Sequence, residues 1–250
     1  KEILDILKND AHKENFPQTL FLLKVLKKYI TRENTKAQGK SVYEWKEVPI
    51  SDFKKIQNIQ DFYKVNGLAD ILYEMMSLEN DKLFIESIDL ALAFLYGGNR
   101  KVQEEFYLKF SSDEENKVIN EMSKRLHSFW KKFEEKESQK LSYLYVQMQK
   151  ITFDYMGLKS DAEEIDDYAL EASAMACIEK YNREIETEEN DYKLMLIILA
   201  FIQTLCEKQF TKMQNFVRIQ KVEDRVLRNS FNFLDYFRHT VSAYGKIFNK

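Results

Sequence analysis

The fold of this chain is decided by residues 80–107, which read NDKLFIESIDLALAFLYGGNRKVQEEFY. Apolar side chains recur at steps of three and four through the first part of the stretch, at Leu83, Phe84, Ile88, Leu90, Ala91, Leu92, Phe94 and Leu95. A stripe this wide predicts a helix that is buried on more than one side. Gly97 and Gly98 predict its end, because glycine readily takes the left-handed conformation that satisfies the last carbonyl groups of a helix.

A second helix is predicted directly after this corner. Asn99 is a suitable N-cap, and Val102, Phe106 and Tyr107 begin a new apolar stripe. Two helices joined this tightly form a helical hairpin, which is the repeating unit of an α-solenoid. The stretch therefore predicts an armadillo-like stack of helical hairpins.

The composition favours an all-α fold of one large domain or two small ones. The chain has 250 residues, 44% of them hydrophobic and 32% charged, which is enough for a sizeable core. Only 6 glycines and 2 prolines are present, too few for the many turns of a β-sandwich or an α/β fold. The charged residues are mostly Glu and Lys, which suit exposed helix faces.

Charge and cysteine content exclude two broad classes. The net charge is −3 with Lys and Glu interspersed, so no basic face for nucleic acid is expected. Cys177 and Cys206 do not make a disulfide framework and fit a reducing, cytosolic compartment. The sequence begins Lys1-Glu2-Ile3 without an initiator methionine, and we expect a piece of a longer protein.

Four segments are predicted along the chain: N-terminal helices with an irregular connection, a first helical block containing the glycine corner, an acidic variable segment, and a last helical block. Their bounds are residues 1–50, 51–157, 158–191 and 192–250. Helices are predicted near residues 3–7, 20–30, 53–62, 68–76, 118–133, 141–156, 194–202 and 227–237. The longest apolar run, Leu194 to Ile202, is far shorter than the roughly 20 residues of a membrane span. We therefore expect a buried helix there and no span in this sequence.

Polar residues ahead of three helices predict their caps. Ser51 is expected to cap one helix, and capping boxes begin at Ser112 and at Ser160. The irregular connection from Thr31 to Pro49 is expected to be anchored by Trp45. The acidic stretch at residues 161–167 lacks the alternating ligands and central glycine of a calcium loop, so helix-dipole stabilisation is the simpler explanation.

A second motif lies in the last helical block. Leu205-Cys206-Glu207 ends an apolar helix, and Gln214-Asn215-Phe216-Val217-Arg218 follows at a short distance. This motif resembles the RIH-associated region of the large intracellular calcium-release channels, the inositol trisphosphate and ryanodine receptors. In those channels Leu-Cys-Glu precedes Gln-Asn-aromatic-aliphatic-Arg at the same spacing.

The corner at Gly97-Gly98-Asn99 is similar to a second sequence of the same family. In the channels an apolar helix ends in Gly-Gly-Asn and continues into a Gln-containing helix, and here that glutamine is Gln103. Both motifs occur in the family in this order. The resemblance covers residues 60–237, most of the chain.

The resemblance implies a cytosolic helical-repeat segment of a ligand-gated calcium-release channel of the endoplasmic reticulum or another internal membrane. Such a segment would transmit ligand and calcium signals toward a pore outside this sequence. Its partners would be the rest of the same polypeptide and the neighbouring subunits of a homotetramer. No cofactor is implied within the segment, except Ca²⁺ with ligands supplied from elsewhere.

One site residue follows from the resemblance, namely Glu207. In the channels the Glu of Leu-Cys-Glu is a ligand of the cytosolic calcium site, and Ca²⁺ takes oxygens from several chain positions. The channels continue with Gly-His-Asn or Asn-His-Asn, whereas this chain has Lys208-Gln209-Phe210. Glu207 is therefore either one calcium ligand among others from outside the chain or a solvated carboxylate near a helix end.

An enzyme is not expected, because no site for one is visible. His12, His127 and His239 are scattered, and none has a partner at metal-ligand spacing. Cys206 lies on an apolar helix and suits a small core position. The alternative to a channel segment is a soluble armadillo-like adaptor that binds protein partners, because the aromatic and charge-mixed helices fit it equally well.

Overall fold

The structure, a computed structural model, describes residues 2–10, 16–35, 50–135 and 193–248. The chain forms two compact units. The first consists of Lys1–Lys124 and Leu196–Lys250, and the second is Arg125–Met195. The glycine corner and the second motif both belong to the first unit.

Ten helices and one short β-hairpin make up the described ranges, so the all-α prediction is confirmed except for the hairpin. The first six helices are α1 Glu2–Asp10, α2 Phe16–Thr35, α3 Ile50–Val65, α4 Leu68–Met76, α5 Asp81–Leu95 and α6 Arg100–Ser112. Helical residues 117–135 form α7, and helical residues 193–205 form α8. The last elements are α9 Thr211–Arg218, β1 Lys221–Val222, β2 Arg225–Val226 and α10 Phe233–Phe248.

The first six helices pack in a regular order. α1 contacts α4, α2 contacts α5, and α3 contacts α6, so each of them meets the helix three places further along the chain. α4 also packs on both α5 and α6. Helices α1 to α3 thus pack against α4 to α6 as two sets of three.

α5 lies in the middle of these contacts and is largely enclosed. It packs against α2, α4 and α6, and 10 of its 15 residues are buried. Fully burying one large apolar side chain such as Phe84 or Leu90 contributes about 1.5 to 3 kcal/mol. The wide apolar stripe in the sequence therefore predicted the environment of this helix correctly.

The corner between α5 and α6 has the geometry that its residues predict. Gly97 and Gly98 have φ angles of 73° and 63°, in the left-handed region, and the Gly98 amide donates to the Leu95 carbonyl at 2.9 Å. Asn99 is the N-cap of α6, and its side-chain oxygen accepts a hydrogen bond from the Lys101 amide at 3.1 Å. The amide group of Asn99 donates to buried Gln60 of α3 at 3.0 Å, which ties the corner to a third helix.

The corner between α6 and α7 departs from the predicted capping box. Ser112 is the last residue of α6, and its hydroxyl donates back to the Lys109 carbonyl at 3.1 Å. Asp113 takes the acceptor role instead, because its carboxylate accepts from the Lys117 amide at 2.7 Å and from the Tyr73 hydroxyl at 2.7 Å. The prediction that Ser112 caps the next helix is therefore wrong.

A short β-hairpin lies directly before the helix predicted at residues 227–237, and that helix begins later than predicted. Strands β1 and β2 pair antiparallel, with Lys221 opposite Val226, so residue 227 does not begin a helix and α10 starts at Phe233. The hairpin is held from outside: the Arg228 amide donates to the Glu114 carbonyl at 3.2 Å, and the Asn116 side chain donates to the Arg228 carbonyl at 2.7 Å. These partners lie far away in the sequence, so local periodicity did not predict them.

Two helix boundaries also differ from the predictions. α2 continues to Thr35, so the connection begins later than Thr31, and α3 begins at Ile50, which places Ser51 inside the helix rather than at its cap. The expectations for Trp45, for the helix at 141–156, for the acidic segment 158–191 and for Cys177 lie outside the described residues. Within the described ranges no helix is both long and apolar enough to cross a membrane.

Candidate functional site

The structure brings the two sequence motifs into direct contact. A Cβ atom added at Gly98 would lie 3.2 Å from Glu207 Oε2, 3.3 Å from Glu207 Cβ and 3.2 Å from Lys208 Cδ. The second glycine of the corner is therefore packed against the glutamate of Leu-Cys-Glu. No sequence pattern alone required these residues to meet.

Gln103 of α6 provides a second link to the end of α8. Its side chain is fully buried, and its Nε2 donates to the carbonyl oxygens of Thr204 at 3.0 Å and of Glu207 at 3.2 Å. The last carbonyl groups of a helix have no partner within the helix. Gln103 therefore acts as a cap for α8 that is supplied by another helix.

Arg100 provides a third link, to the turn that follows Glu207. Its guanidinium donates to the Lys208 carbonyl at 3.1 Å and lies 4.3 Å from the ring centre of Phe210. Lys208 and Gln209 have φ angles of 51° and 56°, a left-handed conformation that is uncommon outside glycine, asparagine, aspartate and histidine. Arg100 thus stabilises a strained two-residue turn from the side of the glycine corner.

Glu207 is half-buried in this arrangement. Its Oε1 is sealed from solvent and has no hydrogen-bond partner among the described residues. Burial raises the pKa of the carboxyl to about 7, and the neighbouring Lys208 opposes that rise. Burial also lowers the pKa of Lys208. For both groups burial is the larger cause of the pKa shift, and their mutual attraction opposes it.

The remaining residues of the second motif divide between the core and the surface. Leu205 and Phe216 are buried, and Gln214 donates to the Cys206 carbonyl at 3.1 Å. Asn215 and Arg218 lie on the exposed side of α9. The buried members therefore position the α8–α9 turn, whereas the exposed pair does not contribute to that packing.

An aromatic cluster packs against the turn between α8 and α9. Tyr107 makes edge-on contacts with Phe210 at 5.9 Å and with Phe216 at 5.9 Å, and Phe216 also lies 6.2 Å from Phe110. Each such pair contributes about 0.5 to 1.5 kcal/mol beyond its area burial. The cluster packs α6 against both Phe210 in the turn and Phe216 on α9, and so holds the turn in place.

Cys206 has the properties of a packing residue. Burial raises the pKa of its thiol to about 11. Because the thiolate is the nucleophilic form of cysteine, this shift suppresses its reactivity near neutral pH. Cys206 is half-buried and lies just beyond the end of α8, so it is a packing residue at the edge of the core rather than the core residue that the sequence suggested.

Sequence reasoning missed four residues that build this site, namely Arg100, Thr204, Lys208 and Phe210. Arg100 and Phe210 could have been found only by knowing that the corner and the turn meet. Thr204 contributes through a backbone carbonyl, which no side-chain pattern reveals. Gln103 is the one residue whose type could have indicated this contact, because a glutamine amide that is buried needs hydrogen-bond partners.

A metal ion would need several ligands at this place. Among the described residues no group of three or more His, Cys, Asp or Glu could hold a metal ion. At this site the Oε1 atoms of Glu207 and Gln103 lack hydrogen-bond partners among the described residues, whereas Ca²⁺ takes six to eight oxygen ligands. The described residues at this site therefore do not by themselves form a calcium site. No protein-family model matches this sequence.

Glu207→Gln is expected to stabilise the chain above neutral pH and to have no effect in acid. The folded-state pKa of Glu207 is about 7 and its ordinary value is 4.5, so the folded state binds this proton more tightly than the unfolded state. The resulting stability is fully present below the lower value and is lost as pH rises through the higher one. With allowance for solvent screening of a half-buried group, the variant gains about 1 to 2 kcal/mol above pH 7. Urea unfolding across this pH range measures the difference, and a pH-independent difference would contradict it.

Proposed function

We propose that this chain is a cytosolic helical-repeat segment of an intracellular calcium-release channel, in which Glu207 supplies one ligand of an activating calcium site. The observation that carries the proposal is the contact between Gly98 and Glu207. The two motifs that resemble the channels are distant in sequence, and they meet at one place. Motifs that were similar by chance would have no reason to be neighbours in the fold.

The backbone of the turn gives independent support. The channels have glycine or asparagine at the position of Lys208 and histidine at the position of Gln209. These residue types adopt left-handed backbone more readily than others, and both positions are left-handed here. The turn therefore has the conformation that the residues of the family favour, although this chain has other side chains there.

The packing of α1 to α6 supports the proposed solenoid. Contacts between helices three places apart are what stacked three-helix units produce, as in armadillo repeats. The unit would then be three helices rather than a two-helix hairpin. A stack of such units moves in rigid-body steps, so it could carry a rotation from a ligand-binding region to a pore.

In this proposal the channel has two conformational states, and Ca²⁺ binds more tightly to one of them than to the other. Calcium held by Glu207 and by oxygens from other segments would favour the state in which those segments are close. The partners in this proposal are the rest of the same polypeptide and the neighbouring subunits of a homotetramer. The location is the cytosolic side of an internal membrane such as the endoplasmic reticulum.

Glu207→Ala in the full-length protein tests this function. We expect the Ca²⁺ concentration for half-maximal channel opening to rise at least about tenfold, because loss of a ligand costs no less than loss of an outer-shell partner. Glu74→Ala, which removes an exposed carboxylate on α4, is the matched control and should leave the response unchanged. Single-channel recording in bilayers at stepped Ca²⁺ concentrations is the measurement. An unaltered calcium response of Glu207→Ala would remove the site assignment.

A protein-binding adaptor remains the second candidate, and one observation favours it. Phe21, Val25 and Tyr29 follow each other at steps of four on α2, and all three are exposed. Such a stripe is typical of a surface that binds a partner helix. If the native polypeptide is small and stays in the soluble fraction without detergent, the adaptor is favoured over the channel.

A further inference from the structure

We propose that the outward face of α2 binds an amphipathic helix of another protein, one that carries a row of acidic residues beside its apolar stripe. The face has two parallel sets of exposed residues, an apolar stripe of Phe21, Val25 and Tyr29 and a basic row of Lys24, Lys28 and Arg32. The inference goes beyond the proposed function and does not depend on the calcium site. A channel segment and an adaptor could both use such a surface.

α2 has an apolar stripe that the fold itself does not use. Leu23 and Ile30 are buried, and the helix packs against α1, α3 and α5. On a second face Phe21, Val25 and Tyr29 recur at steps of four and leave 65%, 37% and 50% of their surface exposed. Residues at steps of four lie one above the other, so the three side chains form a continuous stripe about 12 Å long.

The basic row lies on one side of this stripe. Each of its members stands three positions after a member of the apolar stripe. A step of three residues on an α-helix turns by about 300°, so the three basic side chains are all displaced in the same direction. A partner helix that covers the apolar stripe would therefore meet positive charge along one of its own sides.

The positive charge of the face is local to α2. From Phe16 to Arg32 the sequence contains four basic residues and no Asp or Glu. The whole chain has a net charge of −3, so this excess is not a consequence of a generally basic composition. The segment departs from the interspersed Lys and Glu that are typical of the rest of the chain.

α5 compensates only part of this charge. Glu86 Oε1 lies 3.4 Å from Lys24 Nζ, and Asp89 Oδ2 lies 2.5 Å from Lys27 Nζ. Among the described residues, however, no acidic group lies within ion-pair distance of Lys28. An acidic partner would thus find a cation in the middle of the basic row whose charge the fold leaves uncompensated.

An open groove of about 560 Å³ lies beside the basic row. Its lining is mostly cationic and consists of Lys24, Lys27, Lys28, Thr31 and Arg32 of α2 and Glu86 of α5. Carboxylates form strong charge-assisted hydrogen bonds with such groups. The groove therefore suits the acidic side chains of a helix whose apolar residues lie on the stripe, as in other helix-in-groove complexes.

Two other occupants fit this face less well. In a two-fold dimer the same patch meets itself, and because this patch carries basic residues only, a second copy would bring like charges together. An anionic membrane would favour basic residues on both sides of the apolar stripe, whereas here they lie on one side. An acidic amphipathic helix matches both the charge and its one-sided placement.

Binding of a designed peptide to the 250-residue chain tests the charge requirement. The probe is an alanine-based helical peptide of about 18 residues, with leucine at every fourth position and glutamate three positions after each leucine. Fluorescence anisotropy measures its affinity. We expect Lys28→Glu to weaken binding by about tenfold or more, because a repulsive contact replaces an attractive one. Lys117→Glu, at an exposed position on α7, is the matched control and should leave the affinity unchanged.

The same peptide tests the apolar stripe. We expect Phe21→Ala to weaken binding by about tenfold, because buried aromatic side chains contribute most to interfaces of this kind. Leu234→Ala is the matched control, because Leu234 is also about half exposed, at 51%, but lies on α10. Urea midpoints of all variants should match that of the native chain, so that a loss of binding is not a loss of folding.

A charge swap provides the most specific readout. A second peptide, with lysine in place of every glutamate, should bind the double variant Lys28→Glu/Arg32→Glu at least about tenfold more tightly than it binds the native chain. Native protein that binds neither peptide, or binds both equally, overturns the proposal. So does an equal effect of Lys28→Glu and Lys117→Glu.

Two further results would assign the face to a different occupant and also overturn the proposal. One is binding to vesicles of phosphatidylcholine and phosphatidylserine in equal parts that Phe21→Ala abolishes, without binding to the acidic peptide. The other is a dimer in sedimentation that Phe21→Ala dissociates. None of these measurements involves Ca²⁺, so failure of the helix-binding proposal is distinct from failure of the calcium-site proposal.

Discussion

Phe106→Ala is expected to lower the free energy of unfolding by about 4 kcal/mol, because removal of a fully buried aromatic ring leaves a large cavity. Phe106 is on α6 and is completely enclosed. Its ring lies 6.3 Å from that of Phe94 on α5 and 5.7 Å from that of Phe201 on α8, both in edge-on arrangement. Its loss therefore weakens three helices at once, including the one that carries Glu207 on its following turn.

Urea unfolding monitored by circular dichroism measures this effect. Phe21→Ala is the matched control, because the Phe21 ring is 65% exposed on α2 and its loss opens no cavity. We expect the control to stay within about 0.5 kcal/mol of the native chain. Similar midpoints for the two variants would show that α6 does not pack between α5 and α8 as described.

Gln103→Leu is expected to lower the free energy of unfolding by about 2 kcal/mol, because two buried carbonyl groups lose a donor. The leucine preserves the volume of the side chain but cannot donate to Thr204 or Glu207. Part of this loss of stability is offset, because the substitution also removes the Oε1 of Gln103, which is buried without a hydrogen-bond partner in the described structure. The damage should be concentrated at the α8–α9 turn.

Amide hydrogen exchange gives this prediction a local readout. Protection should fall at the amides of residues 205–210 and remain unchanged in α5. Gln203→Leu makes the same chemical change at an exposed position on α8 and should cost less than about 0.5 kcal/mol. Equal protection of the turn in the two variants would mean that Gln103 does not cap α8.

The features that sequence predicted well depend on near neighbours. α5, its glycine end and the Asn99 cap are determined within a few residues, because helix periodicity and capping are local. Ser112 was predicted to accept from the first amides of α7, but it ends α6, and the neighbouring Asp113 accepts from the Lys117 amide instead. Tyr73, which lies on α4, donates to Asp113 and favours it.

The features that sequence did not predict depend on distant partners. The β-hairpin is two residues per strand, too short for alternation to be visible, and Glu114 and Asn116 hold it from another part of the chain. Gly98 and Glu207 also touch although they are distant in sequence, and no sequence pattern indicates that their segments meet. The resemblance relates both residues to motifs of the same family, but it does not indicate where they lie relative to each other.

The dependence of α6 on α8 also has a consequence during synthesis of the protein. Gln103 and Phe106 find their partners on α8 and its following turn, which emerge from the ribosome long after α6 is complete. At ordinary rates of translation that delay is on the order of ten seconds. During this interval an apolar ring and an unpaired amide stay uncovered on the nascent chain. A chaperone that binds exposed aromatic segments would bind during this interval, before α8 covers the surface.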